Sequence, residues 1–413
     1  MTAPTAIHSS CQQIKVVIAA TIFMMCGFGT MTTVGTFMKP LEEEFGWLRA
    51  DMSFAYTLFT LGTAGGGLFW GHLSDRFDPR PIAIFGSVMM AGGLLLLSRQ
   101  SNLFNIQLLY LVIGALGLGC LYSPVLATVG LWFEKRRGLA LGIVTAGGTL
   151  GQGLIPLAVQ ELLEVTGWRE AYLVIGCVYC VLLAPAALML RKPNVEIAGK
   201  GAAVARQSGW ALPSELSVAL LSIGAILCCL CMAVPLVHLI PYFSDTGRSP
   251  ASAASLVFVA MLAGTVGRVL FGSLADRIGG LATYALASGG QTVTVYWFVE
   301  LEWLPSLYVL SALFGFGFSG VMTSLVLCVR EAVPARVAGF STAIVSMFAW
   351  LGMGSGGYLG GHCFDITGSY AISFGGAAGA GVANLLILGT IALLLRWKAR
   401  ATSSRRSVAL ASL

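Results

Sequence analysis

The stretch GSLADRIGGLA at residues 272–282 repeats the stretch GHLSDRFDPRP at residues 71–81. Four positions are identical at a constant offset of 201 residues: Gly71 and Gly272, Leu73 and Leu274, Asp75 and Asp276, Arg76 and Arg277. The same offset relates Gly46 to Gly247 and Gly138 to Gly339. Because this offset is close to half of the 413 residues, the chain is predicted to be an internal duplication.

The composition is typical of a protein that crosses the membrane many times. The chain is 57% hydrophobic and only 10% charged, whereas soluble proteins carry about 25% charged residues. A spanning helix needs about 20 apolar residues, and the 52 glycines suit closely packed spanning helices. Twelve apolar runs approach or exceed that length: 14–38, 53–72, 82–98, 104–131, 138–163, 169–190, 214–243, 251–273, 281–299, 304–329, 337–362 and 371–395. The first run is too long for the core of a signal peptide, so we expect it to be the first membrane helix.

The polar stretch 191–213 divides the twelve runs into two sets of six. We therefore expect an all-α membrane protein with twelve transmembrane helices in two pseudo-symmetric six-helix bundles. The predicted domains are an N-terminal bundle at 1–190, a central loop at 191–213, a C-terminal bundle at 214–396 and a basic tail at 397–413. Two such halves around a central pathway are typical of transporters, which bind substrate near the membrane midplane.

The lysines and arginines indicate the orientation in the membrane. Eighteen of the 24 fall on the side that carries both termini and the central loop, and five fall on the other side: Lys39, Arg49, Arg99, Arg169 and Arg248. Positive charge accumulates in cytoplasmic loops, so we expect the termini, the central loop and the basic tail to be cytoplasmic. The net charge of +6 then reflects topology and gives no reason to expect a nucleic-acid partner.

The remaining arginine, Arg268, lies inside an apolar, glycine-rich run, MLAGTVGRVLFGSLADRIGG at 261–280. It precedes Asp276 by eight residues, about 12 Å of helix, which places it near the midplane. A charge there costs at least about 2.5–3.5 kcal/mol, so it is expected to face a water-filled cavity or to bind an anion. The alternative is an arginine that extends to the lipid headgroups from a short helix.

Two kinds of motif carry a family resemblance. The pattern G-x-L-[SA]-D-R after the second helix of each half resembles the signature of the major facilitator superfamily. WFEKRRGLALGIVTAGGTLG at 132–151 resembles the fifth-helix signature of the monocarboxylate transporter group, and FGWLRADMS at 45–53 and VPLVHLIPYFSDTG at 234–247 are similar to stretches of its bacterial members. The resemblance covers most of residues 15–396 and implies the two-bundle major facilitator fold.

The resemblance also implies roles for particular residues. An arginine of the eighth helix binds the substrate carboxylate in that family, and the matching residue is Arg268. The repeated motif implies a latch at the cytoplasmic helix ends that favours one access state, formed by Asp75, Arg76, Asp276 and Arg277, with Glu134 and Arg137 as its partners; interfacial anchoring is the alternative. Some members carry an aspartate one turn before the arginine and a lysine in helix 1, where this chain has Gly264 and Thr32. These departures weaken the case for a proton relay built on carboxylates.

Further polar side chains are candidates for the central cavity. His238 lies between Pro235 and Pro241 of the seventh helix, and an imidazole takes up a proton near neutral pH, so it is the candidate for proton coupling and for substrate contact. A hydrogen-bonded packing histidine is the alternative. Tyr122 is expected near the midplane, where its hydroxyl would contact a carboxylate opposite Arg268, or its ring would simply pack. Thr32 and Ser319 are further substrate-binding candidates, as are Thr145, Gln152 and Thr323.

Other polar groups are expected to have no role in transport. The acidic residues Glu42, Glu43 and Glu44 are interpreted as a solvated outer loop, and His72 and His362 are expected at cytoplasmic helix ends. The cysteines, including Cys177 and Cys180 in a C-x-x-C pattern, are interpreted as small buried residues rather than a metal or redox site. Gly264 and Gly267 are expected to leave room for a small anion beside Arg268.

The expected function is secondary active transport of a small monocarboxylate such as lactate or pyruvate by alternating access, with proton symport suggested by the family resemblance. An organic-anion exchanger for oxalate or formate and a drug or metabolite efflux pump of the same fold are the alternatives. No H-E-x-x-H motif or recognisable nucleophile–base pair indicates an enzyme. We expect no cofactor and no metal, a small organic anion, a proton and the bilayer as partners, a functional monomer, and a location in a bacterial inner membrane.

Overall fold

The computed structural model describes residues 3–133, 137–191 and 210–411, and these residues form helices and connecting loops without a β-strand. Twelve helices follow one another along the chain: α1 (Ala3–Phe45), α2 (Arg49–Arg76), α3 (Pro79–Leu97), α4 (Leu103–Trp132), α5 (Arg137–Thr166), α6 (Trp168–Met189), α7 (Ser214–Asp245), α8 (Pro250–Ile278), α9 (Gly280–Val295), α10 (Leu304–Ala332), α11 (Ala335–Thr367) and α12 (Ala371–Ala411). The prediction of an all-α fold with twelve spanning helices is confirmed. We call the side where α1 begins and α12 ends the termini side, and the opposite side the far side.

Ten of these helices are long and apolar enough to cross a membrane by composition alone. The two that are not are α2 and α9. The middle of α2, FAYTLFTLGTAGGGLFWG at 54–71, is less apolar because it is rich in threonine and glycine, and α9 has only 16 residues before a 3-10 turn at Tyr296–Phe298. Both helices pack against neighbouring helices of their own bundle. Protein contacts therefore surround part of the surface that lipid surrounds in the more apolar helices.

The helices pack as two sets of six. In the first set α1 packs against α5, α3 against α6, and α2 against α4; in the second α7 packs against α11, α9 against α10, and α8 against α10. The two sets meet mainly through α2 with α11 and α5 with α8. Since α2 corresponds to α8 and α5 to α11 in the duplication, these two interfaces are related by the same pseudo-symmetry.

The duplication extends to the conformation of the far-side loops. Gly46 after α1 and Gly247 after α7, which are 201 residues apart, have φ angles of 68° and 82°. Gly167 before α6 and Gly368 before α12 have the same offset and φ angles of 87° and 66°. Glycine adopts this left-handed region without a steric penalty. The internal repeat predicted from the sequence is therefore visible in the backbone as well as in the order of helices.

Close helix contacts depend on glycine at the bundle interiors. A Cβ atom at Gly315 of α10 would collide with the carbonyl oxygen of Ala260 in α8. The two backbones thus approach as closely as small residues allow, which is how helices gain packing energy in lipid.

The cysteines differ partly from expectation. Cys228, Cys229 and Cys231 of α7 are buried, as predicted. Cys177 and Cys180 of α6 are exposed, so the prediction that they are buried is wrong. Cysteine is apolar enough to face the hydrocarbon of a bilayer, where burial in the protein is not required.

Candidate functional site

The side chain of Arg268 lies between the two bundles. It projects from α8, ten residues before the helix ends at Ile278, which corresponds to about 15 Å from the termini-side end. Its Nη1 donates a hydrogen bond of 3.0 Å to the backbone carbonyl oxygen of Thr145 in α5. The arginine therefore crosses the α5–α8 interface instead of extending along α8 toward lipid headgroups.

Most of the hydrogen-bonding capacity of this guanidinium is unused. Its Nε is buried and has no hydrogen-bond partner, and no acidic side chain of the described residues forms an ion pair with it. The side chain as a whole is partly exposed, although it lies inside the molecule. A cation at this depth is expected to bind an anion or to face water.

Three aromatic rings from both bundles meet beside this arginine. Phe28 of α1, Tyr122 of α4 and Trp350 of α11 have ring centroids 5.8–6.1 Å apart. Tyr122 is near enough to interact electrostatically with Arg268. A π-helical turn at Ile113–Leu118 precedes the tyrosine in α4, and such turns often occur at functional sites. The structure thus brings Arg268 and Tyr122 into the same region between the bundles.

The glycines around Arg268 do not leave an empty space. A Cβ at Gly267 would collide with Oγ of Ser319 in α10, and a Cβ at Gly264 would lie 3.1 Å from both the Thr149 methyl group and the Gly315 carbonyl oxygen. The prediction that they make room for an anion is wrong, because α5 and α10 fill the volume that the missing side chains release. The glycines bring α8 close to its neighbours instead.

Two further cavity candidates, Ser319 and Thr32, have partners within their own helices, whereas the buried Oε1 of Gln152 has no hydrogen-bond partner among the described residues. Ser319 packs beside Gly267, the residue before Arg268, and donates its hydroxyl to the Phe316 carbonyl oxygen at 2.8 Å. Thr32 is buried, and its hydroxyl contacts the carbonyl oxygen of Phe28 at 3.1 Å, one turn earlier in α1. Ser319 therefore adjoins Arg268 through Gly267, and Thr32 adjoins the aromatic cluster through Phe28. Neither hydroxyl forms a hydrogen bond with Arg268 in the described part of the chain.

His238 belongs to a different part of the molecule. It is fully buried in α7, seven residues before the helix ends at Asp245 on the far side. Its Nε2 lies 2.7 Å from the Gly357 carbonyl oxygen, and its Nδ1 lies 3.1 Å from the hydroxyl of Tyr370. The structure thus does not place His238 beside Arg268.

The residues predicted to form a latch lie at the termini-side helix ends. Asp75 and Arg76 end α2, and Asp276 and Arg277 occupy the last turn of α8, where Arg76, Asp276 and Arg277 are exposed. Arg137 is the first residue of α5, and Glu134 lies outside the described residues. The four ion pairs among described side chains all lie on the far side. No ion pair involving Asp276 or Arg277 joins the bundles within that part of the chain.

The bundles are closed on the far side. Contacts between α2 and α11 run from the far-side end, where Gly361 lies against Arg49, to the middle, where Gly354 lies against Thr57 and Thr60. Nearer the termini side, Cβ atoms at Gly142, Gly272 and Gly339 would meet no atom within 4 Å. The contacts from Gly361 to Gly354 thus close the α2–α11 interface on the far side in this conformation.

Two expectations about far-side residues need correction. Glu42, Glu43 and Glu44 belong to the last turns of α1 rather than to a loop, and Glu42 and Glu44 form ion pairs. His362 is predicted on the side of the termini, but it lies at the far-side end of α11, next to Gly361, because α11 runs from Ala335 on the termini side to Thr367 on the far side. His72 lies near the termini-side end of α2.

Sequence reasoning missed the two rings that come together with Tyr122. Trp350 lies at the middle of α11, whereas tryptophan in membrane proteins is concentrated at the membrane surfaces. That unusual depth was a signal that could have identified it. Phe28 carried no comparable signal, because phenylalanine is common throughout spanning helices.

Comparisons with known proteins agree with this architecture. A family model described as Major Facilitator Superfamily matches residues 18–357 and 221–410. Monocarboxylate transporter 13 of Bos taurus is 29% identical over 360 residues, covering 84% of this chain and 82% of that protein. Monocarboxylate transporter 11 of Mus musculus is 27% identical over 382 residues (87% and 83%), and the agnestins efflux protein AgnL12 of Paecilomyces divaricatus is 24% identical over 347 residues (84% and 79%).

Solved structures show the same fold at low sequence identity. The nucleoside transporter NupG superimposes with a TM-score of 0.70 at 12% identity, covering 92% of this chain and 98% of that one. A bacterial homolog of the human lysosomal transporter Spinster, in an inward-facing and unoccupied conformation, gives a TM-score of 0.66 at 16% identity, covering 97% and 98%.

Proposed function

The chain belongs to the major facilitator superfamily, and we propose that, as one of its membrane transporters, it carries small monocarboxylates such as lactate or pyruvate by secondary active transport. The observation that carries this proposal is Arg268, a guanidinium between the two bundles with a buried, unpartnered Nε and no acidic partner among the described residues. The relatives named as monocarboxylate transporters support the same substrate class.

A carboxylate suits this arginine in charge and shape. Its two oxygens match two parallel N–H groups of a guanidinium, which is stronger and more directional than contact with a point charge. Tyr122 supplies a hydroxyl near the same position, and the rings of Phe28 and Trp350 would cover the apolar part of a small acid. Thr32 and Ser319 would support these residues from the adjoining turns of α1 and α10.

Anion binding would also control the movement between access states. Arg268 donates a hydrogen bond to the Thr145 carbonyl oxygen of the opposite bundle. Closing the termini side around an unpaired charge is costly, because a buried ion without a partner loses its hydration. A bound carboxylate would neutralise the guanidinium, displace it from Thr145, and let the bundles rock around the occupied site. The candidate latch residues Asp75, Arg76, Asp276 and Arg277, with Glu134 and Arg137, would engage when the termini side closes.

The orientation and the driving force complete the proposal. We also propose that the termini side, which carries the excess of Lys and Arg, is cytoplasmic, so that the far side faces outward across a bacterial inner membrane. We propose proton symport with His238 as the proton-binding group, since an imidazole changes its charge in the physiological pH range. Its distance from Arg268 makes the coupling indirect.

Transport into liposomes tests the proposal. Purified protein is reconstituted, and uptake of labelled lactate, pyruvate, formate and oxalate is measured with and without an acidic exterior. Accumulation of lactate or pyruvate driven by the pH gradient is expected. Replacing Arg268 with alanine is expected to abolish this uptake, whereas Arg248→Ala, at a far-side arginine that donates to the loop carbonyl of Glu302 and lies over the Phe243 ring, is expected to retain it. Full uptake by Arg268→Ala would refute the assigned role.

Two other outcomes would change the function. Counterflow of oxalate or formate without dependence on pH would indicate an organic-anion exchanger. Absence of any carboxylate flux would favour efflux of another compound, since the relative AgnL12 is named an efflux protein. Accumulation of a dye or metabolite in inside-out vesicles would then be measured.

A further inference from the structure

A cluster of charged residues joins the two bundles on the far side. Arg49, the first residue of α2, is only 4% exposed. It pairs with Glu42 of α1 in its own bundle and with Asp245 of α7 in the other. Its guanidinium also lies 3.9 Å from the ring centroid of Phe364 in α11. We call Arg49, Asp245, Asp365, Tyr370 and His238 the far-side clasp.

The duplication explains why this contact crosses between bundles. Glu44 and Asp245 occupy equivalent positions, 201 residues apart. In the N-terminal bundle Glu44 pairs with Arg169 of the same bundle at 2.6 Å. The position equivalent to Arg169 in the C-terminal bundle is Tyr370, which has no charge. Asp245 therefore takes its cation, Arg49, from the opposite bundle.

A second carboxylate strengthens the same contact. Asp365, near the end of α11, accepts hydrogen bonds from the backbone N–H groups of Arg49 and Ala50 at 3.1 and 2.8 Å. These are the first residues of α2, whose free N–H groups and partial positive charge favour an anion. One bundle thus caps a helix of the other, and this cap must break when α2 and α11 separate on the far side.

The hydrogen bonds of His238 and Tyr370 have a fixed direction. A carbonyl oxygen only accepts, so the contact with Gly357 at 2.7 Å requires a proton on Nε2 of His238. Arg49 only donates, so its Nη1 donates to the oxygen of Tyr370 at 3.1 Å. Burial raises the pKa of Tyr370, so its hydroxyl keeps its proton. That hydroxyl can donate to Nδ1 of His238 only while the imidazole is neutral.

Protonation of His238 breaks this order. With protons on both ring nitrogens, the Tyr370 hydroxyl loses its acceptor, and its oxygen faces two donors, Nδ1–H of His238 and Nη1 of Arg49. The imidazolium also adds a positive charge close to Arg49. The surrounding helices carry four other charged groups, and each has a partner of its own. In α1, Glu42 pairs with Arg49 and Lys39 pairs with Asp245. Asp245 of α7 also pairs with Arg49, and Asp365 of α11 caps the start of α2. None of them contacts the imidazole within the described residues.

We propose that the far-side clasp is a gate that proton binding opens: neutral His238 holds the far side closed, and protonated His238 releases it. The proton then comes from the far side, and the gate admits substrate to Arg268 only after the proton has bound. The inference rests on the proposed function as a transporter that alternates between two access states, but it does not depend on which substrate is carried.

A distance measurement between the bundles tests this gate without any substrate. Nitroxide labels are attached to cysteines at Arg99 in the α3–α4 loop and at Trp303 before α10, both exposed on the far side. The accessible native cysteines are first replaced by serine: Cys11, Cys177, Cys180 and Cys363. Double electron–electron resonance in lipid nanodiscs then gives the distance distribution between the two labels. Its short and long distances report the populations of closed and open far sides at pH 8 and pH 5.5.

The expected result is an open-to-closed ratio about two- to tenfold higher at pH 5.5, the effect of losing one hydrogen bond between neutral groups. His238→Gln can still donate to Gly357 and accept from Tyr370 but binds no proton, so its far side should stay closed at both pH values. Tyr370→Phe breaks the link to Arg49 and should be open already at pH 8. Two controls should respond to pH like the parent protein. One is Tyr242→Phe, at a ring 5.7 Å from that of Tyr370, and the other is His362→Gln, at an exposed far-side histidine.

The outcomes separate this gate from the transport proposal. An unchanged pH response in His238→Gln, or a far side in Tyr370→Phe that stays closed with the parent pH response, would overturn the gate. A parent protein whose populations do not change with pH would overturn it as well. Lack of carboxylate uptake would count against the proposed substrate and leave the distance result intact.

Discussion

Replacing Arg268 with lysine keeps the positive charge but removes the planar fork of N–H groups. If the arginine binds a substrate carboxylate, this conservative change should weaken binding strongly, because lysine is a point charge on a flexible stem. If the arginine serves only as a charge near the midplane, or only packs α8 against α5, lysine should replace it with little loss. The substitution therefore separates recognition from simple charge.

The size of the effect follows from the contacts that change. The arginine has an unused Nε and one hydrogen bond to Thr145, so a carboxylate gains a second parallel bond that lysine cannot supply. A hydrogen bond to a charged group contributes about 1.5–3 kcal/mol, and each 1.4 kcal/mol is tenfold in affinity. The KM for pyruvate should rise by about 10- to 150-fold in Arg268→Lys, and uptake by Arg268→Ala should fall below detection.

The assay is the initial rate of labelled pyruvate uptake into liposomes as a function of pyruvate concentration, with pyruvamide as the uncharged competitor. Pyruvamide should not inhibit the parent protein, because it lacks the carboxylate. Arg248→Lys, a matched change at a far-side arginine, should keep the parent KM. A KM for Arg268→Lys within twofold of the parent value, at equal amounts of folded protein, would refute the carboxylate assignment.

Three further changes test other parts of the structure. Asp365→Ala removes the cap on the start of α2, which is worth about 1 kcal/mol, so the labelled far-side loops should show about a fivefold higher open-to-closed ratio; an unchanged ratio would argue against the cap. Trp350→Ala removes two ring contacts worth about 0.5–1.5 kcal/mol each and should lower kcat/KM for pyruvate by about tenfold, whereas a parental value would place the cluster outside the substrate path. Gly315→Val forces atoms into the backbone of Ala260 and should lower the thermal unfolding temperature in detergent, because overpacking costs about 1–3 kcal/mol. Gly379→Ala, where a Cβ meets nothing within 4 Å, should leave that temperature unchanged. Equal unfolding temperatures for the two variants would contradict the close approach of the helices.

The sequence predicted the parts of the fold that depend on local composition and on the repeat. Apolar runs located the spanning helices because a bilayer requires about 20 apolar residues at each crossing. The constant offset of 201 residues revealed the duplication, which even the left-handed glycines of the far-side loops obey. The placement of Arg268 inside α8 and its neighbour Tyr122 followed from counting helical turns from charged helix ends.

The far-side clasp could not be predicted in this way. Arg49 looked like an ordinary outer-loop charge, because its partners Asp365 and Tyr370 lie more than 300 residues away. The burial of an ion depends on such long-range partners, whereas composition reports only the average environment of a segment. His238 was singled out by its flanking prolines, but its contact with Tyr370 depends on how α7 packs against the α11–α12 connection.

The space around Arg268 was wrongly predicted for a related reason. Glycines in a membrane helix either leave a gap or let a neighbour approach, and the sequence of α8 alone does not distinguish the two. At Gly267 the approaching neighbour is α10, which brings Ser319.

A structure of the protein with pyruvate bound tests the central claim most directly. We expect both carboxylate oxygens to lie within about 2.7–2.9 Å of two nitrogens of Arg268, with the contact from Nη1 to the Thr145 carbonyl oxygen broken. Pyruvate bound elsewhere, with Arg268 still on Thr145, would contradict the role of this arginine as the carboxylate ligand.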